Sequence, residues 1–234
     1  DVAPSRGLGD VYKRQVLNVD NEKAIKTLYE LETAKIDYFH IDVMDGKFVK
    51  NNTTEKMLEY SEYINSISNL PLDVHLMVED VEQYIKSFSI FEPNIITFHL
   101  EAGKNRENIL KLIKLVKENN ARVGMSLKPA TPIEEIYQFL PYIHLVLIMT
   151  VEPGLGGQTL IPETIEKVKK LRKYIDEKEL EVDIQADGGI NLQNIELLKE
   201  AGIDNVVIGS ALIKAEDKNC LLYTSPSPRD GATS

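Results

Sequence analysis

The chain has 234 residues, 43% hydrophobic and 27% charged, with a formal net charge of -10. This allows a sizeable core in one domain, and the negative charge argues against nucleic acid or an anionic membrane surface as a general partner, though not against a local phosphate site. No apolar run reaches membrane-spanning length and no signal peptide is visible, and the single cysteine, Cys220, excludes an internal disulfide framework and fits a reducing, cytoplasmic setting. In chain order, residues 1–15, "DVAPSRGLGDVYKRQ", show no sustained period and read as a non-native or disordered tail resembling translated adapter sequence. A short strand, "VLNV" at 16–19, and a helix over 21–34 come next. Further strands are expected at "YFHIDVM", "LDVHLMV", "IITFHLEA", "RVGMSL", "HLVLIMTV", "EVDIQADGG" and "NVVIGSAL". Amphipathic stretches follow all but the last, with apolar residues three and four apart, as in Ile109, Leu112, Ile113 and Val116. Thr131 and Asn191 are expected helix caps, and Gly202 a helix stop. Residues 220–234, rich in Pro, Ser, Thr and Gly, read as a second non-native or disordered tail.

Eight βα units over 16–219 predict an α/β fold, a (β/α)8 TIM barrel; the runner-up is an open doubly wound sheet, but no Gly-x-Gly-x-x-Gly turn follows the first strand. The active site of such a barrel lies at the C-terminal ends of the strands. Strand residues alternate faces, so His40, Asp42 and Met44 share one side while Phe39, Ile41 and Val43 pack toward the helices. Asp73, His75 and Met77 form a matching face on the next strand, and Asp187 ends the seventh. Two histidines and two carboxylates at neighbouring strand ends, His40, Asp42, His75 and Asp187, suit a mixed nitrogen–oxygen metal site. His99 and Glu101 are either a further contributor or a decoy, and His144, at the opposite strand end, reads as structural or surface. Glycine turns after strands six, seven and eight ("VEPGLGGQ", "DGGIN", "IGSAL") suit a phosphate nest. Met44, Met77 and Met149 are either core filler or an apolar cushion beneath a planar intermediate.

The segments "HIDVMDGKFV", "DVHLM", "GMSLKPATP", "MTVEPGLGGQTLIP", "DGGIN" and "IGSAL" resemble the ribulose-phosphate 3-epimerase family, in order, over about residues 16–217. The resemblance implies a barrel enzyme interconverting ribulose 5-phosphate and xylulose 5-phosphate in carbohydrate metabolism. It implies a divalent metal ion (Zn, Fe, Mn or Co) on His40, Asp42, His75 and Asp187, and no organic cofactor. It further implies Asp42 and Asp187 as the acid/base pair, phosphate binding at Gly156, Gly157, Gly188, Gly189, Gly209 and Ser210, and a substrate floor of Met44, Met77 and Met149. A small sugar phosphate is the expected partner, with homo-oligomers common in the family. Alternatives are an allulose-6-phosphate 3-epimerase, or a sugar-phosphate-binding barrel impaired in catalysis. The sequence departs from the family pattern where a substrate-reaching serine falls on Gln15, where Lys50 stands in place of proline, and where the last helix gives way to "CLLYTSPSPRD". An altered first strand, a truncated last helix and an apolar seam there are expected.

Overall fold

A computed structural model describes the backbone of Val11–Gln15 and residues 37–208. Eight parallel strands close into a barrel: β1 Val11–Gln15, β2 Tyr38–Met44, β3 Leu72–Met77, β4 Ile95–His99, β5 Arg122–Leu127, β6 Leu145–Met149, β7 Asp183–Asp187 and β8 Asn205–Ile208. The helices α1 Thr54–Ile67, α2 Val81–Ser89, α3 Arg106–Glu118, α4 Glu163–Glu177 and α5 Ile195–Ala201 follow β2, β3, β4, β6 and β7. No helix among the described residues is long and apolar enough to cross a membrane.

The first strand corrects the expected boundary. Val11–Gln15 pairs in parallel with both β2 and β8, so these five residues belong to the barrel and not to a tail ending at residue 15. Without them β2 and β8 would present two open edges of unpaired N–H and C=O groups, and the closed ladder satisfies both. Gln15 pairs with His40, the strand depth at which the site begins. The expected strand at 16–19, the helix over 21–34 and the C-terminal seam lie outside the described residues.

Three further expectations change. "PIEEIYQFL" forms a 3-10 helix, Ile133–Tyr142, rather than an α-helix. Thr131 does not cap it, because its hydroxyl donates to Glu101. Asn191 makes a tight turn in which its Oδ1 accepts from Gln193 N at 2.9 Å, and α5 begins four residues later. Gly202 ends α5 in the left-handed region, φ +99°, as its position suggested.

The pleat sorts the side chains as alternation requires. Phe39, Ile41, Val43, Val74, Leu76, Ile96 and Phe98 point outward into one large apolar layer beneath the helices, which meet it with residues such as Met57, Ile85 and Leu112. Each fully buried side chain of this kind contributes about 1.5–3 kcal/mol. This layer fixes the register, because a one-residue slip of β2 or β3 would turn its outer apolar groups inward and its histidines and aspartates outward. The interior is mixed: His40, Asp42, Asp73, His75, Thr97, His99, Ser126, Gln185 and Asp187 are buried there beside a smaller apolar cluster that includes Leu145, Leu147 and Met149.

Candidate active site

β2 and β3 run in register with His40 beside Asp73, Asp42 beside His75 and Met44 beside Met77. Alternation therefore stacks a His and an Asp at each of two successive depths. β7 brings Asp187 across the barrel mouth to the same point. His40 Nε2 lies 3.3 Å from Asp42 Oδ1 and 3.9 Å from Asp187 Oδ2. His75 Nδ1 lies 2.9 Å from Asp42 Oδ1 and 3.9 Å from Asp187 Oδ2. One ligand atom from each of the four residues falls within 4.8 Å of the others, and all four are buried. His40 Nε2 makes no hydrogen bond, its contact with Asp42 being too poorly aligned. A buried imidazole nitrogen left without a hydrogen bond is costly, and once the ring is neutral a cation would take up its lone pair. Two neutral nitrogens and two carboxylate oxygens around one point suit a divalent cation of the Zn, Fe, Mn or Co type.

The histidines offer opposite nitrogens. His40 uses Nδ1 to meet Asp73 Oδ2 at 2.8 Å, leaving Nε2 for the centre. Asp73 is held from across the barrel by Gln185 Nε2, at 3.0 Å. His75 points Nδ1 to the centre and Nε2 to His99 Nε2 at 3.0 Å. His99 Nδ1 lies 3.2 Å from Glu101 Oε2. His99 and Glu101 thus stand behind His75, outside the four-residue cluster.

The groups of the site carry unequal charges. Burial opposes the positive charge on His40, but Asp73 and then Asp42 outweigh it and raise its pKa to about 10. Burial also opposes ionisation of Asp42, yet His40 and His75 more than offset this and hold it below the usual carboxylate range. For Asp187, burial and the Asp42 charge act together against only partial relief from His40, and its pKa rises to about 8. Two carboxyls share one site, one ionised and one carrying its proton. Burial lowers His99 to about 4, against the pull of Glu101. Burial works against Glu101 as well, but His99, Thr131 and the Lys128 N–H lower it to about 2.

The remaining expected residues fall as follows. Met44 and Met77 pack together with Val49, whereas Met149 joins a separate cluster with Ile95, Leu145, Leu147 and Val151. Met149 pairs with Asp187 across β6 and β7, so it too sits at the site's depth. Asp45 forms the turn out of β2: Oδ1 accepts from Lys47 N and Phe48 N, and Oδ2 from Glu79 N, tying the β2 and β3 loops together. His144 is structural, its Nδ1 accepting from Val123 N at 3.1 Å. The loops after β6 and β7 touch: a Cβ on Gly189 would lie 2.4 Å from Leu160 N, and Thr150 Oγ1 donates to Asp187 O at 2.8 Å. Gly157, φ +77°, faces open space, while Gly188 and Gly189 also have positive φ. Gly156 lies exposed in the same β6 loop. Gly209 and Ser210 lie outside the described residues.

Sequence reasoning gave no role to Asp73, Gln185 or Lys167. Period two places Asp73 on the His75 face and Gln185 on the Asp187 face, but not their meeting across the barrel. Lys167, on α4, donates to the carbonyls of Lys128, Pro129 and Thr131.

Comparison with known proteins shows the family and the fold. A sequence description of the Ribulose-phosphate 3 epimerase family matches residues 13–213. The chain is 39% identical to the ribulose-phosphate 3-epimerase of Mycobacterium bovis over 181 residues, 77% of each chain. It is 37% identical to that of Methanocaldococcus jannaschii over 202 residues, 86% of this chain and 83% of the relative. Among solved structures, KGPDC from Streptococcus mutans superposes with a TM-score of 0.66 at 11% identity, covering 91% of this chain and 93% of that one, a likeness of fold alone.

Proposed function

The chain belongs to the ribulose-phosphate 3-epimerase family, enzymes of carbohydrate metabolism, and we propose that it interconverts D-ribulose 5-phosphate and D-xylulose 5-phosphate by proton exchange at C3 between Asp42 and Asp187. The observation that carries this reading is the buried His40–Asp42–His75–Asp187 cluster with its two unlike carboxyls. Epimerisation needs a proton taken from one face of a carbon and another returned to the opposite face. Asp42, ionised, suits the base. Asp187, which keeps its proton to about pH 8, suits the acid on the far side.

In one direction the C3–H bond breaks toward the Asp42 carboxylate, and its electron pair moves into a C2–C3 double bond as the C2 carbonyl becomes an ene-diolate oxygen. Asp187 then gives its proton to the opposite face of C3 and the carbonyl re-forms. Asp42 ends protonated and Asp187 ionised, so the reverse reaction runs with the roles exchanged. His40, Asp42, His75 and Asp187 would hold a divalent cation, which would supply the Lewis acidity that a carboxylate base needs to remove so weakly acidic a proton. Met44, Met77 and Met149 limit water around the planar intermediate. The β6 and β7 loop glycines, Gly156, Gly157, Gly188 and Gly189, hold the phosphate through backbone N–H groups, and the sequence resemblance adds Gly209 and Ser210, outside the described residues, to the set.

Asp42→Asn and Asp187→Asn test the reading. Each should remove turnover of ribulose 5-phosphate, a loss of at least about 100-fold, with far-ultraviolet circular dichroism unchanged. In deuterated water the parent should place solvent deuterium at C3 of the product. Near-normal turnover in either variant would overturn the assignment.

A further inference from the structure

We propose that Glu101, acting through His99, is the positioning group that keeps His75 in its metal-binding tautomer, and that it links this setting to the loop after β5. The inference rests on the four-residue metal site proposed above. A neutral imidazole carries one N–H. His75 Nδ1 is among the converging ligand atoms, 2.9 Å from Asp42 Oδ1, so a cation there requires the proton on Nε2. That nitrogen lies 3.0 Å from His99 Nε2, which must then accept. The His99 proton is thereby placed on Nδ1, 3.2 Å from Glu101 Oε2. Only this assignment leaves His75 Nδ1 open to a cation while pairing every nitrogen in the chain. An ionised carboxylate accepts and cannot donate, so Glu101 sets the direction from the outer end.

Glu101 is fixed in turn. Its other oxygen, Oε1, accepts from Lys128 N at 2.8 Å and from the Thr131 hydroxyl. Lys167 Nζ holds the same loop through the carbonyls of Lys128, Pro129 and Thr131, at 3.0, 2.8 and 2.6 Å. The His99 ring lies between His75, with centroids 5.0 Å apart, and Phe48, at 4.9 Å. Neither His99 nor Glu101 contributes to the four-atom cluster, so both act through His75.

Glu101→Gln isolates the effect. Oε1 is claimed by two donors, so the amide oxygen must take that place and the NH2 group must face His99 Nδ1. His99 then donates from Nε2, His75 accepts there, and the His75 proton moves to Nδ1 against the cation. The test is Co2+ titration of the metal-free full chain, followed by visible ligand-field absorption and by chelator competition. Glu101→Gln should weaken Co2+ binding by about tenfold or more, with the melting temperature of the metal-free protein unchanged. His99→Gln, which keeps an acceptor for His75 Nε2–H, should lose less affinity than His99→Leu. A parent that binds Co2+ no more tightly than His75→Ala overturns both the four-residue site and this inference. A parent that binds, with Glu101→Gln within twofold of it, overturns the inference alone. Should Glu101→Gln fail to fold, equal affinities in the two His99 variants overturn it.

Discussion

Binding of a divalent cation should release protons, and the site's electrostatics set how many. In the metal-free protein Asp187 keeps its proton to about pH 8 and His40 keeps its own to about pH 10. His40 must give up its proton to become a ligand, whereas Asp187, the acid of the proposed reaction, can offer the unprotonated oxygen of its carboxyl and keep its proton. Affinity therefore rises with pH, since the bound state carries fewer protons than the free one. Between pH 6.5 and 10 one proton leaves per ion, so affinity should rise about tenfold per pH unit and level off above about pH 10. Chelator competition with Co2+ or Zn2+ at closely spaced pH values gives the slope. Titration calorimetry in buffers of different ionisation heat counts the protons directly. Affinity that is flat from pH 6.5 to 8, or release of fewer than one proton per ion there, would refute the electrostatic account of the site.

Two further outcomes follow from the same contacts. Asp73 is the nearest negative partner of His40 Nδ1, at 2.8 Å, and heads the charges that raise its pKa. Asp73→Asn should therefore move the upper limit of that pH dependence down from about 10; an unmoved limit would remove Asp73 from the argument. Gly188 adopts φ +112°, and a Cβ there would sit 2.3 Å from Val151 Cγ2. Gly188→Ala should destabilise the protein by about 2–5 kcal/mol through backbone strain and overpacking, visible as a lower melting temperature, and an unchanged melt would contradict it.

Much of the site was legible along the chain because a strand's alternation is local. In "HIDVM" and "DVHLM", period two is enough to put His40, Asp42, His75 and Met77 on inward faces, and the βα rhythm is enough to imply a barrel. The turn at Asp45 is equally local, since an Asx turn involves only adjacent residues. The first strand was not legible. "VYKRQ" carries only a weak strand pattern, and its place is set by the open edges of β2 and β8, which lie far away in sequence. His99 and Glu101 stayed ambiguous for a related reason. Their spacing resembles a ligand pair, and only the distance to His75 Nε2 puts them behind the site instead of in it.

The sequence by itself determined the alternation of strands and helices, the outward apolar layer, and which side chains carry the nitrogen and oxygen donors. These follow from periodicity and residue chemistry, which act over a few positions. The tertiary structure decided which nitrogen of each histidine faces the centre, that Asp73 and Gln185 meet across the barrel, and that Asp42 is ionised while Asp187 keeps its proton. Those features depend on barrel closure, which brings residues more than a hundred positions apart within hydrogen-bonding distance, and on burial, which makes each charge depend on its neighbours.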